Sequence, residues 1–102
     1  MKEVCIKESA GETLEIVLSG DIDAGNAEAF YGEVMTAYED ANKNICFDCA
    51  ALAFIDSTTL GTFVKITKRL KADGYTVRLV GAQAKIKKLF LICALDKIME
   101  IA

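Results

Sequence analysis

The sequence predicts one α/β domain over residues 1–102, with a mainly parallel sheet of four or five strands, an N-terminal hairpin and helices packed on the sheet. Two segments with alternating apolar residues open the chain, and segments with helical spacing then alternate with short apolar runs. A length of 102 residues fits one domain, and 53% hydrophobic residues with no proline can supply its core.

The first half of the chain predicts two strands, a helix and a third strand. Apolar side chains alternate over residues 4–7 and 14–19, and residues 10–12 contain the glycine of a hairpin turn. Helical spacing then runs from Ala24 to about Ala41, with Asp23 as the predicted N-cap. The run Ile45, Cys46 and Phe47 suits a strand that is buried on both faces.

A second helix is predicted to begin directly after Asp56, because the hydroxyl residues that follow favour helix starts. Helical spacing assigns its inward face to Leu60, Phe63, Val64, Thr67, Leu70 and Lys71. Its flank and outer side are assigned to Thr59, Thr62, Ile66 and Arg69.

A fourth strand is predicted at residues 75–80, and a short last strand at residues 98–101. Between them lies a third helix. One face of that helix is marked by Ala82, Ile86, Leu89, Phe90 and Cys93.

Composition excludes several classes of function. The chain has no histidine, which excludes Ser-His-Asp and Cys-His catalysis, histidine zinc ligands and histidine phosphorelay. A net charge of −3 gives no electrostatic basis for binding nucleic acid. Residues 1–56 hold three basic and twelve acidic side chains, whereas residues 57–102 hold nine and three. This asymmetry indicates either opposite-signed faces or a basic surface for an acidic partner.

The same features predict a cytoplasmic protein that does not bind a membrane. The four cysteines are too few and too scattered for a secreted disulfide scaffold. Glutamates interrupt the first twenty residues, and no apolar run has the length of a membrane span.

Ser57 is the most specific candidate site. The free N–H groups and dipole of a helix start would stabilise a phosphoryl group there, and that group would add about −1.5 to −2 charges. Simple N-capping also explains Asp56, Ser57 and Thr58.

Two other pairs of residues are weaker candidates for a functional site. Cys46 and Cys49 match C-x-x-C, but an offset of three within a strand points their side chains to opposite faces. Turn and capping roles account for Asp21 and Asp23, and the lysines of the third helix suit a solvated face. We therefore expect no cofactor, no metal and no catalysis.

Three segments together resemble the anti-sigma factor antagonists, a family of STAS domains. Residues 18–24 look like the family's L-x-G-x-[LIV]-D turn, and residues 54–61 resemble its F-[IM]-D-S-[ST]-G-[LIV]-G signature. Residues 84–98 fit its closing segment. The resemblance covers nearly the whole chain and implies a STAS-like fold, although Thr59 stands where the family usually has glycine.

The resemblance implies that Ser57 is phosphorylated by an anti-sigma factor that is also a serine kinase, and that a serine phosphatase acts on phospho-Ser57. The unphosphorylated protein would bind the anti-sigma factor and release the sigma factor. Asp23 and Asp56 match acidic positions of the family's docking surface. The predicted partner surface comprises these residues with Ser57, Thr58, Thr59, Thr62, Ile66 and Arg69.

Two other functions remain open at the level of sequence. Some STAS proteins resemble this chain and act as accessory subunits of lipid-transport ABC complexes, but those often lack the serine found here at position 57. A small redox or metal protein built on Cys46 and Cys49 would carry zinc or form a disulfide.

Overall fold

The computed structural model describes residues 1–7 and 11–102, and the predicted hairpin turn lies partly outside them, at Ala10. The elements occur in the order β1 (Val4–Lys7), β2 (Thr13–Ile22), α1 (Ala27–Ala41), β3 (Asn44–Ile55), α2 (Ser57–Ala72), β4 (Val77–Val80), α3 (Ala84–Ile92), a 3₁₀ turn (Leu95–Lys97) and β5 (Glu100–Ile101).

The five strands form one sheet in the order β1-β2-β3-β4-β5. β1 pairs antiparallel with β2, and every later pair is parallel. This arrangement confirms the predicted mainly parallel sheet with an N-terminal hairpin. In the register of β2 and β3, Ile22 lies opposite Ile55, so both strands end at the same edge of the sheet.

Helices cover only one face of this sheet. Ile16 of β2, together with Ile45 and Phe47 of β3, is buried on the covered face. Cys46 and Asp48 alternate with them and remain partly exposed on the other face. The prediction that β3 is buried on both faces is therefore wrong, because no helix of the described residues crosses to the second face.

Aromatic packing joins the three helices to the sheet. The ring of Phe63 in α2 has its centroid 5.2 Å from that of Phe30 in α1 and 5.0 Å from that of Phe90 in α3. Phe47 of β3 packs edge-on against Phe63 at 5.1 Å. Such tilted ring pairs are favourable beyond the area they bury. Helix α2 is thus the middle helix of the layer.

The predicted inward face of α2 is partly wrong. Ile66 has no exposed surface, and Thr59 and Thr62 are also buried. Val64 is only partly buried, and Lys71 is exposed. Because α1 and α3 pack on both flanks of α2, its buried arc is wider than the sheet alone would require and is rotated toward Ile66.

The third helix also differs from its prediction. Ile86 and Phe90 are buried, whereas Leu89 and Cys93 are exposed. Its inward face is therefore narrower than the sequence pattern indicates, and apolar side chains remain at the surface.

The buried position of Ile66 can be tested by substitution. Ile66→Ala is expected to lower the free energy of unfolding by about 2–5 kcal/mol, and Ile66→Val by about 0.5–1.5 kcal/mol, because both remove packed carbon atoms. Lys68→Ala on the exposed side of α2 is the control and should change it by no more than about 0.5 kcal/mol. Urea unfolding measures all three. An Ile66→Ala value no larger than that of the control would contradict the packing.

Candidate functional site

Ser57 is the first residue of α2, and its side chain is exposed. It follows directly after β3 and the capping residue Asp56, at the edge where β2 also ends. The loop from β2 to α1 therefore lies beside the start of α2. The hydroxyl of Ser57 is presented to solvent from the end of a helix.

The carboxylate of Asp56 joins these two segments. Its Oδ1 accepts a hydrogen bond from the Thr59 N–H at 3.0 Å, which caps α2 as the sequence predicts. Its Oδ2 accepts one from the Ala24 N–H at 2.8 Å, across 32 residues of sequence. The N–H of Thr59, and then those of Ala24 and Thr58, stabilise the charged form and lower the pKa of Asp56.

Thr59 adds a second link between the same segments. Its side chain is completely buried, and its hydroxyl donates a hydrogen bond to the carbonyl oxygen of Ile22 at the end of β2. The same oxygen lies 3.0 Å from Oδ1 of Asp56. The side chain at the position where the resembling family usually has glycine is therefore directed inward and does not project toward a partner.

The loop before α1 is ordered by its own side chains. The helix begins at Ala27, with Asn26 before it, so the prediction that Asp23 caps a helix beginning at Ala24 is wrong. Oδ1 of Asp23 instead accepts from the Gly25 N–H at 2.9 Å, which forms a tight turn. The Asn26 side chain accepts from the N–H of Asp23 and donates to the carbonyl of Asp21. Because Asn26 makes these hydrogen bonds within the loop, α1 begins at Ala27, three residues later than predicted.

The outward surface of α2 differs from the predicted one. Thr62 and Ile66 are buried and do not face solvent. Arg69 is exposed but lies about 18 Å along the helix from Ser57, at about 1.5 Å per residue. It also pairs with Asp73 at 3.2 Å and with Glu39 at 3.3 Å. Thr62, Ile66 and Arg69 therefore do not extend the exposed surface around Ser57.

The exposed stripe that does begin beside Ser57 is made of Thr58, Gly61, Lys65 and Lys68. Gly61 lies one turn into α2, and a Cβ atom built on it would meet nothing within 4 Å. Nothing in residues 1–7 and 11–102 therefore requires a glycine there. A glycine at this position destabilises the helix by about 0.5–1 kcal/mol relative to alanine.

Cys46 and Cys49 point to opposite faces of β3, as predicted from their spacing. Cys46 is partly exposed and Cys49 is buried, and all four cysteines are free. Burial raises the pKa of both thiols, that of Cys49 to about 12. A raised pKa disfavours the thiolate that redox and metal chemistry require.

Across residues 1–7 and 11–102, no group of three or more acidic, cysteine or histidine side chains is placed to hold a metal ion. Within the same residues, every helix is too short or too polar to cross a bilayer.

Sequence reasoning missed the role of Asn26 and left Gly61 out of the predicted partner surface. Asn26 orders the loop beside Ser57, and its signal was an amide residue three positions after Asp23, at a second possible helix start. Gly61 matches the last glycine of the F-[IM]-D-S-[ST]-G-[LIV]-G signature, and a Cβ atom built on it would meet open space.

The fold and site define a small α/β domain that presents an exposed serine at a helix start. The chain matches the family model described as "STAS domain" over residues 5–102. It is also 31% identical, over 97 residues, to a protein of Listeria monocytogenes named anti-sigma-B factor antagonist. That alignment covers 94% of this chain and 84% of the relative. The chain therefore belongs to the STAS domain family, that of the anti-sigma factor antagonists.

Two further comparisons agree with this assignment. The anti-sigma-B factor antagonist of Bacillus subtilis is 28% identical over 90 residues, which is 87% of this chain and 81% of the relative. The structure of the Bacillus cell fate determinant SpoIIAA in its phosphorylated form has a TM-score of 0.75 at 24% identity. It covers 97% of this chain and 90% of the other, and it shows the shared fold.

The charge of Asp56 should make its contribution to stability depend on pH. Because folding lowers the pKa of Asp56, its stabilising effect is present in full above the unfolded value of about 3.9 and is lost as pH falls through the folded value. Asp56→Asn should therefore be less stable than the parent protein at pH 7, and the difference should shrink in acid.

Urea unfolding of both proteins at pH 7 and at stepwise lower pH measures this difference. Asparagine keeps one side-chain oxygen to cap α2, but its NH2 group replaces the oxygen that accepts from one of the two N–H groups, so the substitution removes the charge together with one acceptor. A difference that stays constant across the whole pH range would contradict the role assigned to the carboxylate.

Proposed function

We propose that this protein is an anti-sigma factor antagonist controlled by phosphorylation of Ser57. Unphosphorylated, it binds an anti-sigma factor that is also a serine kinase, and the sigma factor is released. Phosphorylation of Ser57 by that kinase ends the binding, and a serine phosphatase restores it. The protein acts as a cytoplasmic regulatory binding partner and performs no catalysis itself.

The observation that carries the proposal is the exposed hydroxyl of Ser57 on a fixed frame. Its backbone is held by the cap of Asp56, and the neighbouring loop is held by the Asp56 bond to Ala24. A kinase requires an accessible hydroxyl in a defined position. Ser57 has that accessibility, whereas Thr59 two residues later is completely buried.

A phosphoryl group on Ser57 would change binding more than folding. It would lie at the positive end of the α2 dipole, where added negative charge is favourable. The side chain of Ser57 is exposed, so an added group would extend into solvent and not into the core. An interface formed around a neutral hydroxyl, however, would have to desolvate about −1.5 to −2 charges beside Asp56.

We infer a docking surface smaller than the one the sequence predicts. It comprises the β2–α1 loop with Asp23, the helix start from Asp56 to Thr58, and Gly61 one turn later. The absence of a side chain at Gly61 leaves room for close approach by a partner's backbone.

The relatives support this proposal by their names. Proteins of Listeria and Bacillus that align with most of this chain are called anti-sigma-B factor antagonists, and SpoIIAA exists in a phosphorylated form. The other candidate, an accessory subunit of a lipid-transport ABC complex, would bind its ATPase whether or not Ser57 carries phosphate.

Ser57 should be the phosphorylated residue. After incubation with the cognate kinase and ATP, mass spectrometry of the intact protein and its peptides should find one phosphate, on Ser57. Ser57→Ala should abolish labelling, because the family signature places the acceptor directly after Asp56 and Thr59 is buried. Thr58→Ala, which removes the neighbouring exposed hydroxyl, is the control and should be labelled normally. Label that persists on Thr58 in Ser57→Ala would overturn the assignment.

Substitution of Gly61 should separate stability from binding. Gly61→Ala should raise the free energy of unfolding by about 0.5–1 kcal/mol, since the methyl group meets open space and alanine favours a helix. It should also weaken binding to the anti-sigma factor by about fivefold or more, which is about 1 kcal/mol.

Gly32→Ala in α1 is the matched control, because a Cβ atom there also meets nothing within 4 Å. It should give the same gain in stability with unchanged affinity. Equal affinities for both variants and the parent, measured by titration calorimetry, would remove Gly61 from the docking surface.

A further inference from the structure

Exposed apolar side chains are concentrated on α3. Of the five large hydrophobic residues that are exposed in the described part of the chain, three are in this nine-residue helix: Leu89 at 36%, Leu91 at 46% and Ile92 at 68%. Single exposed hydrophobic residues are common, but a cluster on one short helix indicates a contact surface.

The same helix is basic. It carries three lysines and no acidic residue. Lys85, Lys88, Leu89 and Ile92 have the i, i+3, i+4, i+7 spacing of one helical stripe, and all four are exposed. We call these four residues the α3 face.

A fourth exposed hydrophobic residue, Ile6 at 39%, lies in a groove with three acidic side chains, of which Glu33 pairs with the N-terminal ammonium group. This groove runs between β1 and α1, has a volume of about 900 Å³, and is open to solvent. Helix α1 has four acidic residues and no basic one. We call it the α1 groove, lined by Ile6, Glu33, Thr36, Ala37, Glu39 and Asp40.

The α3 face and the α1 groove lie on opposite flanks of the helix layer. Helix α1 contacts β1 and β2, whereas α3 contacts β3, and Phe63 of α2 separates Phe30 from Phe90. The α3 face of one molecule therefore cannot reach the α1 groove of the same molecule. Contact between them requires two molecules.

We propose that the α3 face docks into the α1 groove of a second copy of this chain. Leu89 and Ile92 would cover Ile6 and Ala37, and Lys85 and Lys88 would approach Asp40 and its neighbour Glu39, which also pairs with Arg69. Both surfaces combine an apolar centre with charges, and the two sets of charges have opposite sign.

Such an interface is head-to-tail, because two different surfaces meet. Each docked pair leaves one α3 face and one α1 groove unoccupied, so association continues into short chains or closes into a ring. A surface of one short helix is small, which predicts weak and concentration-dependent association. The proposal stands independently of the role assigned to Ser57.

Sedimentation velocity over a concentration series tests the proposal. The weight-average mass of the parent protein should rise with concentration up to about 1 mM and fall when salt is added, because salt screens the opposite charges of the two surfaces. Ile92→Asp, which alters the α3 face, and Ile6→Lys, which alters the α1 groove, should each remain monomeric.

Two controls match these changes in net charge on other surfaces. Lys68→Gln on α2 and Glu15→Gln on the open face of the sheet should both associate like the parent protein. Urea unfolding should show that all four variants are folded, since each substitution is at an exposed side chain.

Mixing the two monomeric variants gives the sharpest result. Ile92→Asp keeps an intact α1 groove, and Ile6→Lys keeps an intact α3 face. Together they should form a one-to-one dimer that cannot grow, although neither associates alone. Two monomeric variants that stay monomeric when mixed would overturn the head-to-tail arrangement.

Other outcomes would also overturn the proposal. One is a parent protein that remains monomeric at about 1 mM in low salt. Another is a monomeric parent protein that floats with vesicles of anionic phospholipid, an interaction lost in Ile92→Asp, since that would assign the α3 face to a lipid surface.

Discussion

The geometry of the site around Ser57 depends on the carboxylate of Asp56. One oxygen caps α2 through Thr59, and the other holds the loop before α1 through Ala24, so a single side chain fixes two segments that are 32 residues apart. The carboxylate can serve both because the parallel strands β2 and β3 end side by side. The buried hydroxyl of Thr59, bonded to Ile22, adds a second link across the same junction. Ser57 gains a fixed position from contacts in which its own side chain takes no part.

The packing of α2 limits what a partner can contact. Phe63 lies between Phe30 and Phe90, so α2 is held from both flanks and turns Ile66 into the core. Only a narrow outward stripe remains. Near Ser57 that stripe has small side chains and a glycine. Under the proposed function, recognition would rely on a small rigid surface, on which one added phosphate is a large change.

The sheet and the position of Ser57 could be predicted from the sequence, because they follow from local patterns. Alternation defines β2, and the step from Ile55 to Asp56 defines the start of α2. The register of α2 could not be predicted in the same way, since Val64 and Ile66 are both apolar. Packing against α1 and α3 decides which of them is buried, and sequence spacing does not report that packing.

The predicted start of α1 was wrong for a related reason. Asp23 and Asn26 are both good capping residues, and hydrogen bonds within the loop decide between them. The hydrogen bond from Ala24 to Asp56 joins residues that are distant in sequence, so no local pattern predicts it. The prediction that Leu89 lies on the inward face of α3 is wrong for the same reason, because tertiary packing decides which apolar residues of a helix are buried.

We propose that a phosphate on Ser57 controls binding without altering the fold. The most direct measurement is titration calorimetry of the anti-sigma factor kinase with two preparations, one unphosphorylated and one carrying a single phosphate verified by mass spectrometry. Backbone amide NMR spectra of both preparations report the fold. We expect shifts confined to the residues around Ser57 and at least about tenfold weaker binding, or 1.4 kcal/mol, for the phosphorylated protein. Equal affinity of the two forms would contradict the account.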